Sequence, residues 1–349
     1  MKLIIQIPCF NEEEQLPATL AHLPRHIDGI DTIEWLIVDD GSTDQTAEIA
    51  RAHGVHHIVR FPANRGLAAA FRAGLETALG RGADVIVNTD ADSQYRGEDI
   101  KKLIEPIVAG KADMVIGDRQ IAGHPEFSFV KKCLQRLGSL VVGRLAGVPV
   151  PDVTSGFRAF SREAAMRLNV LSKYTYTHET VIQAGQHNLC IMSVPITVNP
   201  KTRPSRLFSS IPAYVRRSAT TIARIYTLYS ALKVFALSAL IPFLIGSAIG
   251  GRFLYYYFTG QGKGHVQSLI LCGVLLNLSF VLVVLGVLAD LIGFNRRLLE
   301  EILIRAKKSE LHQTQSEGSS TVSKPNPGEQ PPGNVNGPTD QPANREGTP

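Results

Sequence analysis

Asp90-Ala91-Asp92, followed by Gln94, is the stretch of this chain best suited to chemistry. It follows an apolar run, Ala83–Asn88, that reads as a buried strand. Two carboxylates spaced i, i+2 at the tip of a strand repel each other unless a positive charge sits between them. A hard divalent cation supplies that charge, takes oxygen ligands, and usually also holds phosphate oxygens. An Asp-rich turn is the plain alternative for a lone D-x-D. Two further segments carry related chemistry. Val38-Asp39-Asp40-Gly41-Ser42-Thr43-Asp44 reads as a strand tip, a glycine turn and a helix start, where a carboxylate can accept from a nucleobase or ribose. Asn64-Arg65-Gly66 opens a helix, so backbone N–H groups and a guanidinium could meet phosphate.

The elements that would position these residues follow from the hydrophobic pattern. Leu3–Ile7, Leu36–Val38, Val85–Val87 and Met114–Ile116 read as buried parallel strands. Between them lie helical stretches. Asn11 is the expected N-cap ahead of Glu12, Glu13 and Glu14, Thr43 or Ser42 the expected cap of the helix through Ala52, and Gly66 opens Leu67–Leu79. Further helices are expected over Phe127–Ala146 and Glu179–Gln186. Strands alternating with helices predict an open α/β sheet with crossover connections. Ligands of such sheets bind beyond the carboxyl ends of the strands. Pro8–Glu14, Asp39–Asp44 and Asp90–Gln94 all fall on that edge. The block from Gly117 to Pro200, richer in basic and aromatic residues, is expected to form the acceptor-facing part of the same domain.

The chain has 349 residues, room for more than one domain, with 44% hydrophobic residues and a net charge of +5. Its apolar excess is concentrated between Val234 and Phe294, with basic residues around it, which favours a membrane surface over nucleic acid. Val234–Gly251 and Leu269–Ala289 carry no charge, and each is long enough to cross a bilayer, which takes roughly 20 residues. A short polar connector, Thr259–Val266, makes them a hairpin. Arg216, Arg217, Arg224 and Lys233 flank it on one side, Arg296, Arg297, Arg305, Lys307 and Lys308 on the other, so both ends are expected in the cytoplasm. The four scattered cysteines, Cys9, Cys133, Cys190 and Cys272, fit a reduced compartment. Met1–Pro8 is too short to read as a signal peptide. The expected organisation is a catalytic domain over 1–206, an amphipathic interfacial helix over 207–232, two transmembrane helices over 233–295, a basic juxtamembrane segment over 296–308 and a disordered tail over 309–349.

Taken together, Ile7-Pro8-Cys9-Phe10-Asn11-Glu12, Val38–Asp44, Asn64-Arg65-Gly66-Leu67 and Asp90-Ala91-Asp92 resemble the family-2 glycosyltransferases of GT-A fold. With Gln94, Asp152-Val153-Thr154-Ser155-Gly156-Phe157-Arg158 and Arg203 before Ser205 and Arg206, the closer resemblance is to polyprenyl-phosphate glycosyltransferases, including dolichol-phosphate mannose synthases and undecaprenyl-phosphate glucosyltransferases. It covers roughly residues 1–206, and the hairpin extends it to about residue 300.

The resemblance implies a GT-A nucleotide-sugar-binding sheet flanked by helices, with Mg2+ or Mn2+ as cofactor. It implies a donor pocket of Pro8, Phe10, Asn11, Glu12, Asp40, Asn64, Arg65 and Asp90, and a metal and diphosphate site of Asp90, Asp92 and Gln94. On the acceptor side it implies Asp152, with Arg119, Lys131, Lys132, Arg203 and Arg206 meeting the lipid phosphate. The compressed spacing Arg203-Pro204-Ser205-Arg206 leaves open which arginine takes that role. Asp152 and Asp92 are the implied catalytic residues, Asp152 positioning the acceptor or taking a residual proton. Glu179 reads as a helix-start acid. The implied reaction is inverting transfer of a hexose from a GDP-mannose or UDP-glucose type donor to a polyprenyl phosphate at the cytoplasmic membrane face. A homo-oligomer is an open expectation. Another lipid or polysaccharide acceptor is the alternative, or a silent nucleotide-sugar-binding membrane protein. A processive polysaccharide synthase is disfavoured, since Trp35 is the only tryptophan and no Q-x-x-R-W motif exists.

Overall fold

The computed structural model describes residues 1–120, 129–170, 176–200, 230–260 and 266–320, with 215–216, 219–220, 223–224 and 226–227. Most of the expected interfacial helix, together with Arg203, Arg206 and 321–349, lies outside the described residues. Among the described residues seven strands form one sheet: β1 (Lys2–Cys9), β2 (Thr32–Asp39), β3 (His57–Arg60), β4 (Val85–Asn88), β5 (Met114–Asp118), β6 (Arg158–Ser161) and β7 (Ile191–Pro195). Their order is β3-β2-β1-β4-β6-β5-β7. β2 and β4 flank β1 in parallel, with Leu36 beside Gln6 and Val87 beside Ile5.

The four expected strands are present and share one direction. β3, β6 and β7 are additions, and β6 runs antiparallel between β4 and β5, with Asn88 opposite Arg158. That reversal brings the start of β6 to the carboxyl edge of β4 and β5. The Asp152–Phe157 segment therefore meets the acidic loops there.

Both faces of the sheet are covered, which is why its central strands read as continuous apolar runs. On one face Ile4, Leu36 and Val38 pack against α3 (Leu67–Gly80), α5 (Phe129–Ala146), α6 (Arg162–Arg167) and α7 (Thr177–Gln186). On the other, Leu3, Ile5, Ile7 and Ile37 pack against α1 (Leu16–His22), α2 (Thr46–Ala52) and α4 (Ile100–Val108).

Two expected caps differ. Asn11 sits in the left-handed region, at φ 54°, and α1 begins at Leu16 with Pro17 in its first turn. The N–H groups of Asn11, Glu12 and Glu13 are donated to Ser42 Oγ, Thr46 Oγ1 and Asp44 Oδ2, so the acidic triplet forms a loop bound to the next one. α2 starts only at Thr46, whose N–H is taken by Asp44, while Ser42 and Thr43 turn toward Asn11. Gly66 does open α3, at φ 93°.

α8 (Ala231–Phe258) and α9 (Val266–Ser320) pack side by side and are long and apolar enough to cross a membrane. Their seam is close. A Cβ on Gly250 would stand 2.9 Å from Cys272 Sγ, and one on Gly286 2.9 Å from Phe235 Cβ. Ser279 Oγ donates to the Ala239 carbonyl at 2.9 Å. α9 continues to Ser320, through the first residues of the segment 309–349 that the composition predicts as a disordered tail. Beyond its apolar part it returns to the sheet domain, where Lys308 Nζ lies 3.2 Å from Glu163 of α6.

Candidate active site

The loop after β1 is stitched to the loop after β2. Besides the three N–H groups above, Thr43 N–H donates to Asn11 Oδ1 at 2.9 Å and Gln45 N–H to Glu13 Oε2 at 3.0 Å. Asp39 is buried, accepts from Ser42 N–H at 2.8 Å and lies 3.1 Å from Arg60 Nε. Asp40 accepts from the N–H groups of both Arg65 (2.7 Å) and Gly66 (2.8 Å). Those two N–H groups, read from the sequence as phosphate donors, are therefore engaged. The Arg65 guanidinium stands 4.9 Å over the Phe61 ring. Gly41 permits this arrangement, because a Cβ there would lie 2.5 Å from the Ala63 carbonyl carbon. Pro8 and Phe10 flank Cys9 at the end of β1, and Phe10 is exposed. Asn64 is exposed beside Arg65.

The loop after β4 carries the acidic pair. Asp90 is half-buried, and burial together with the charge of Asp92 pushes its carboxyl well above the usual carboxylate range, while Arg119 pulls it back. Gly156 makes room for it, since a Cβ there would meet Asp90 Oδ1, Asp90 Oδ2 and Tyr176 Oη, each at 3.0 Å. Asp92 accepts from Gln94 through its backbone N–H (3.2 Å) and its side-chain amide (2.8 Å). Thr19 holds the loop from below by donating to the Ala91 carbonyl at 2.8 Å.

Among the described residues no three His, Cys, Asp or Glu side chains gather into a preformed metal cage. Mg2+ and Mn2+ do not need one: such ions commonly keep waters and bind through one or two carboxylates plus substrate phosphates. Two adjacent carboxylates, one with its acidity suppressed by burial and by the other's charge, fit that donor set.

Asp152 lies behind this loop and is 1% exposed. Arg119, after β5, grips it with Nε to Oδ2 at 2.7 Å and Nη2 to Oδ1 at 3.0 Å. Thr154 and Gln135 donate to the same carboxylate. These charges hold the Asp152 carboxyl below its usual range despite burial. Arg158 is fully buried and spans four acceptors, the carbonyls of Ser155, Val153 and Thr177 and the hydroxyl of Thr180. It pins the Asp152 loop to the start of α7. Burial drags it down to about 10, so it stays charged at neutral pH. A cavity of about 870 Å3 opens beside the Arg119–Asp152 pair. Gln135 lines it, and Lys132, Arg136 and Arg144 bring positive charge. The side chain of Lys131 and all of Arg203 and Arg206 lie outside the described residues.

Several polar residues under the site went unassigned in the sequence. Gln6 donates to Asn88 Oδ1 at 2.9 Å, and Asn88 donates to the Gly156 carbonyl and to Tyr176 Oη. Tyr95 Oη accepts from Gly156 N–H at 3.2 Å. Gln6 and Asn88 each interrupt an apolar strand, which is the signal that marks them. Glu179 is 3% exposed and accepts from Gln183 at 3.1 Å.

This strand order, with one antiparallel strand slotted among parallel neighbours and acidic loops along their carboxyl edge, is that of the GT-A fold. The chain belongs to glycosyl transferase family 2, whose family model matches residues 4–168. It is similar to the undecaprenyl-phosphate mannosyltransferase of Micrococcus luteus, 30% identical over 207 residues that span 56% of this chain and 83% of that one. It is also 34% identical to the UDP-N-acetylglucosamine–dolichyl-phosphate N-acetylglucosaminyltransferase of Methanococcus voltae, over 54% of this chain and 82% of that one. Glucosyl-3-phosphoglycerate synthase from Mycobacterium tuberculosis, solved with Mn2+, uridine diphosphate and phosphoglyceric acid, shares the fold. It has a TM-score of 0.52 and 20% identity over 64% of this chain and 78% of that one.

Proposed function

We propose that this glycosyltransferase moves a hexose from a nucleoside diphosphate, of the GDP-mannose or UDP-glucose type, to the phosphate of a polyprenyl phosphate. The observation that carries the reading is the meeting of two unlike sites on one sheet edge. One is the Asp90–Asp92 carboxylate pair on the loop after β4, the first of the two pushed up by burial and by the second's charge. The other is an Arg119–Asp152 fork beside a cavity lined by Lys132, Arg136 and Arg144. The first suits a metal-bound diphosphate and the second a phosphate on an apolar chain. Relatives named for polyprenyl-phosphate sugar transfer support the pairing.

Asp90 and Asp92, with Gln94 bracing Asp92, would hold Mg2+ or Mn2+. Such an ion, when bound, offsets charge that grows on the departing diphosphate. The protein's own residues do the rest. Phe10, Asn11, Glu12 and Asp40, at the mouth of the stitched loops, bound the nucleotide. Arg119 orients the lipid phosphate, and Asp152 keeps Arg119 in place. A phosphate oxygen attacks the anomeric carbon, the bond from that carbon to the diphosphate oxygen breaks, and its electron pair leaves with the diphosphate. A phosphate monoester has a second pKa of about 6, so the nucleophile is already charged near neutrality. Asp152 therefore need not act as a base, and with its carboxyl held low it is better suited to positioning. Single displacement inverts the anomeric centre.

The hairpin of α8 and α9 would keep the domain at the membrane surface, where a polyprenyl phosphate presents its headgroup. The Lys308–Glu163 contact favours a topology in which α9 ends on the catalytic side. The flanking arginines and lysines favour the cytoplasm for that side.

The test is to incubate membranes holding the full chain with undecaprenyl phosphate and a panel of radiolabelled nucleotide sugars. Sugar should move into organic-extractable lipid, with a β-linkage by NMR from an α-linked donor. No lipid-linked product from any donor would overturn the reading, and retained α-linkage would overturn the single displacement.

A further inference from the structure

α9 has two faces along its apolar part. Cys272 and Ser279 turn to α8 and are buried there. At 100° per residue, Asn277 and Val281 fall on roughly the opposite side, with Gly273 on the flank 40° from Asn277. With Ile270, Val274 and Leu278 they line a shallow groove of about 570 Å3 that no element of the described chain fills. Gly273 has open space where a Cβ would stand. Asn277 is exposed, and among the described residues its amide has no hydrogen-bond partner.

Asn277 is eight residues from Leu269 and twelve from Ala289, the ends of the uncharged run. At about 1.5 Å per residue the nearer end is roughly 12 Å away. The short Asn side chain cannot reach interfacial water over that distance. Lipid tails offer it neither donor nor acceptor, and a bare amide in hydrocarbon is costly. Something must meet it on this face.

We propose that a second copy of this chain docks on the Gly273–Asn277 face of α9, the two Asn277 amides pairing across a two-fold axis along the membrane normal. This rests on α8 and α9 spanning the bilayer. Copies inserted in one orientation hold each residue at the same depth, so Asn277 meets its own counterpart. A carboxamide is both donor and acceptor and is therefore complementary to itself. Gly273, one turn away, lets the two backbones approach, as small residues do between membrane helices.

The test reconstitutes the full chain, labelled with donor or acceptor fluorophore, into phosphatidylcholine vesicles and follows energy transfer against protein-to-lipid ratio. Wild type should associate, and Asn277→Leu should raise its dissociation constant by about 5- to 30-fold. Asn277→Gln should preserve association, and Gly273→Leu should weaken it. Wild-type transfer no greater than random mixing overturns the proposal, as does an Asn277→Leu chain that associates like wild type. A monomeric chain that recovers a different membrane protein in equal amount from its native membranes overturns it as well. Alkaline carbonate extraction separates the two levels. A chain released by carbonate sinks the spanning reading itself, whereas one that stays embedded and monomeric sinks only the pairing.

Discussion

Arg119 and Asp152 form a two-pronged pair, Nε to Oδ2 at 2.7 Å and Nη2 to Oδ1 at 3.0 Å, in a position almost closed to water. The geometry fixes the plane of the guanidinium and uses both carboxylate oxygens. Removing the charge of Asp152 would leave Arg119 buried without its counter-ion and free to tilt. Asp152→Asn should lower kcat/KM for the lipid phosphate by about 100-fold, the scale of a misplaced positioning group. It should also cost about 3 kcal/mol of stability. If the role is positioning, the variant's residual rate keeps the acid limb set by the lipid phosphate, near pH 6. A pH–rate profile of both proteins checks this, and loss of that limb in the variant would point to Asp152 as the base.

Gly156 is the other tight relationship at the site. A methyl group there would press on both oxygens of Asp90 and on Tyr176 Oη at 3.0 Å. Gly156→Ala should cost about 1–3 kcal/mol, the usual range for overpacking. It should also weaken metal-dependent binding of a nucleoside diphosphate, because Asp90 must move. Thermal denaturation and calorimetry with GDP and UDP read the two effects separately. A variant with wild-type stability and wild-type nucleotide binding would contradict the crowding argument.

The acidic pair predicts a sharp dependence on divalent cations. Burial and Asp92 suppress ionisation of Asp90, and a cation between them would restore it. Treatment with EDTA should abolish transfer, and Mg2+ or Mn2+ should restore it. Asp92→Asn should lose at least about 100-fold in activity even with saturating metal, as one removed electrostatic group does at such sites. Full activity after chelation, with no metal uptake by calorimetry in the presence of donor, would refute the assignment.

Much of this arrangement could be read from local pattern. The apolar runs at Leu3–Ile7, Leu36–Val38, Val85–Val87 and Met114–Ile116 gave β1, β2, β4 and β5, and strand tips gave the site edge. Three strands escaped for physical reasons. Arg158-Ala159-Phe160-Ser161 starts with a charge, and only the tertiary fold shows that this charge is buried on four acceptors. His57–Arg60 is short and half polar, and Ile191–Pro195 is a sheet edge. Capping propensity predicts Asn11 as an N-cap because it cannot see Thr43, 32 residues on, whose N–H donates to the Asn11 side-chain oxygen. The Arg119–Asp152 pair joins residues 33 apart, so no spacing rule reveals its fork. Gln6 and Asn88 were legible as polar breaks in apolar strands, though their partners Gly156 and Tyr176 were not.

His178 sets a pH limit on the fold that is independent of catalysis. It is buried at the start of α7, and desolvation, aided by the charge of Arg158, holds it down to about 4 from an ordinary 6.5. The folded state keeps it neutral, whereas the unfolded chain protonates it below about 6.5. Between those values the unfolded state binds the extra proton, so stability falls as pH falls. Above about pH 6.5 the residue adds no pH dependence. The shift of 2.5 between the two values corresponds to about 3 kcal/mol across the window, at about 1.4 kcal/mol for each tenfold change. His178→Gln keeps a neutral polar side chain and removes the proton site. Its melting temperature should therefore fall less between pH 7 and pH 5 than that of wild type, with carboxylate contributions common to both. Equal slopes in the two proteins would mean that His178 is reached by water or paired with an acid in the folded state.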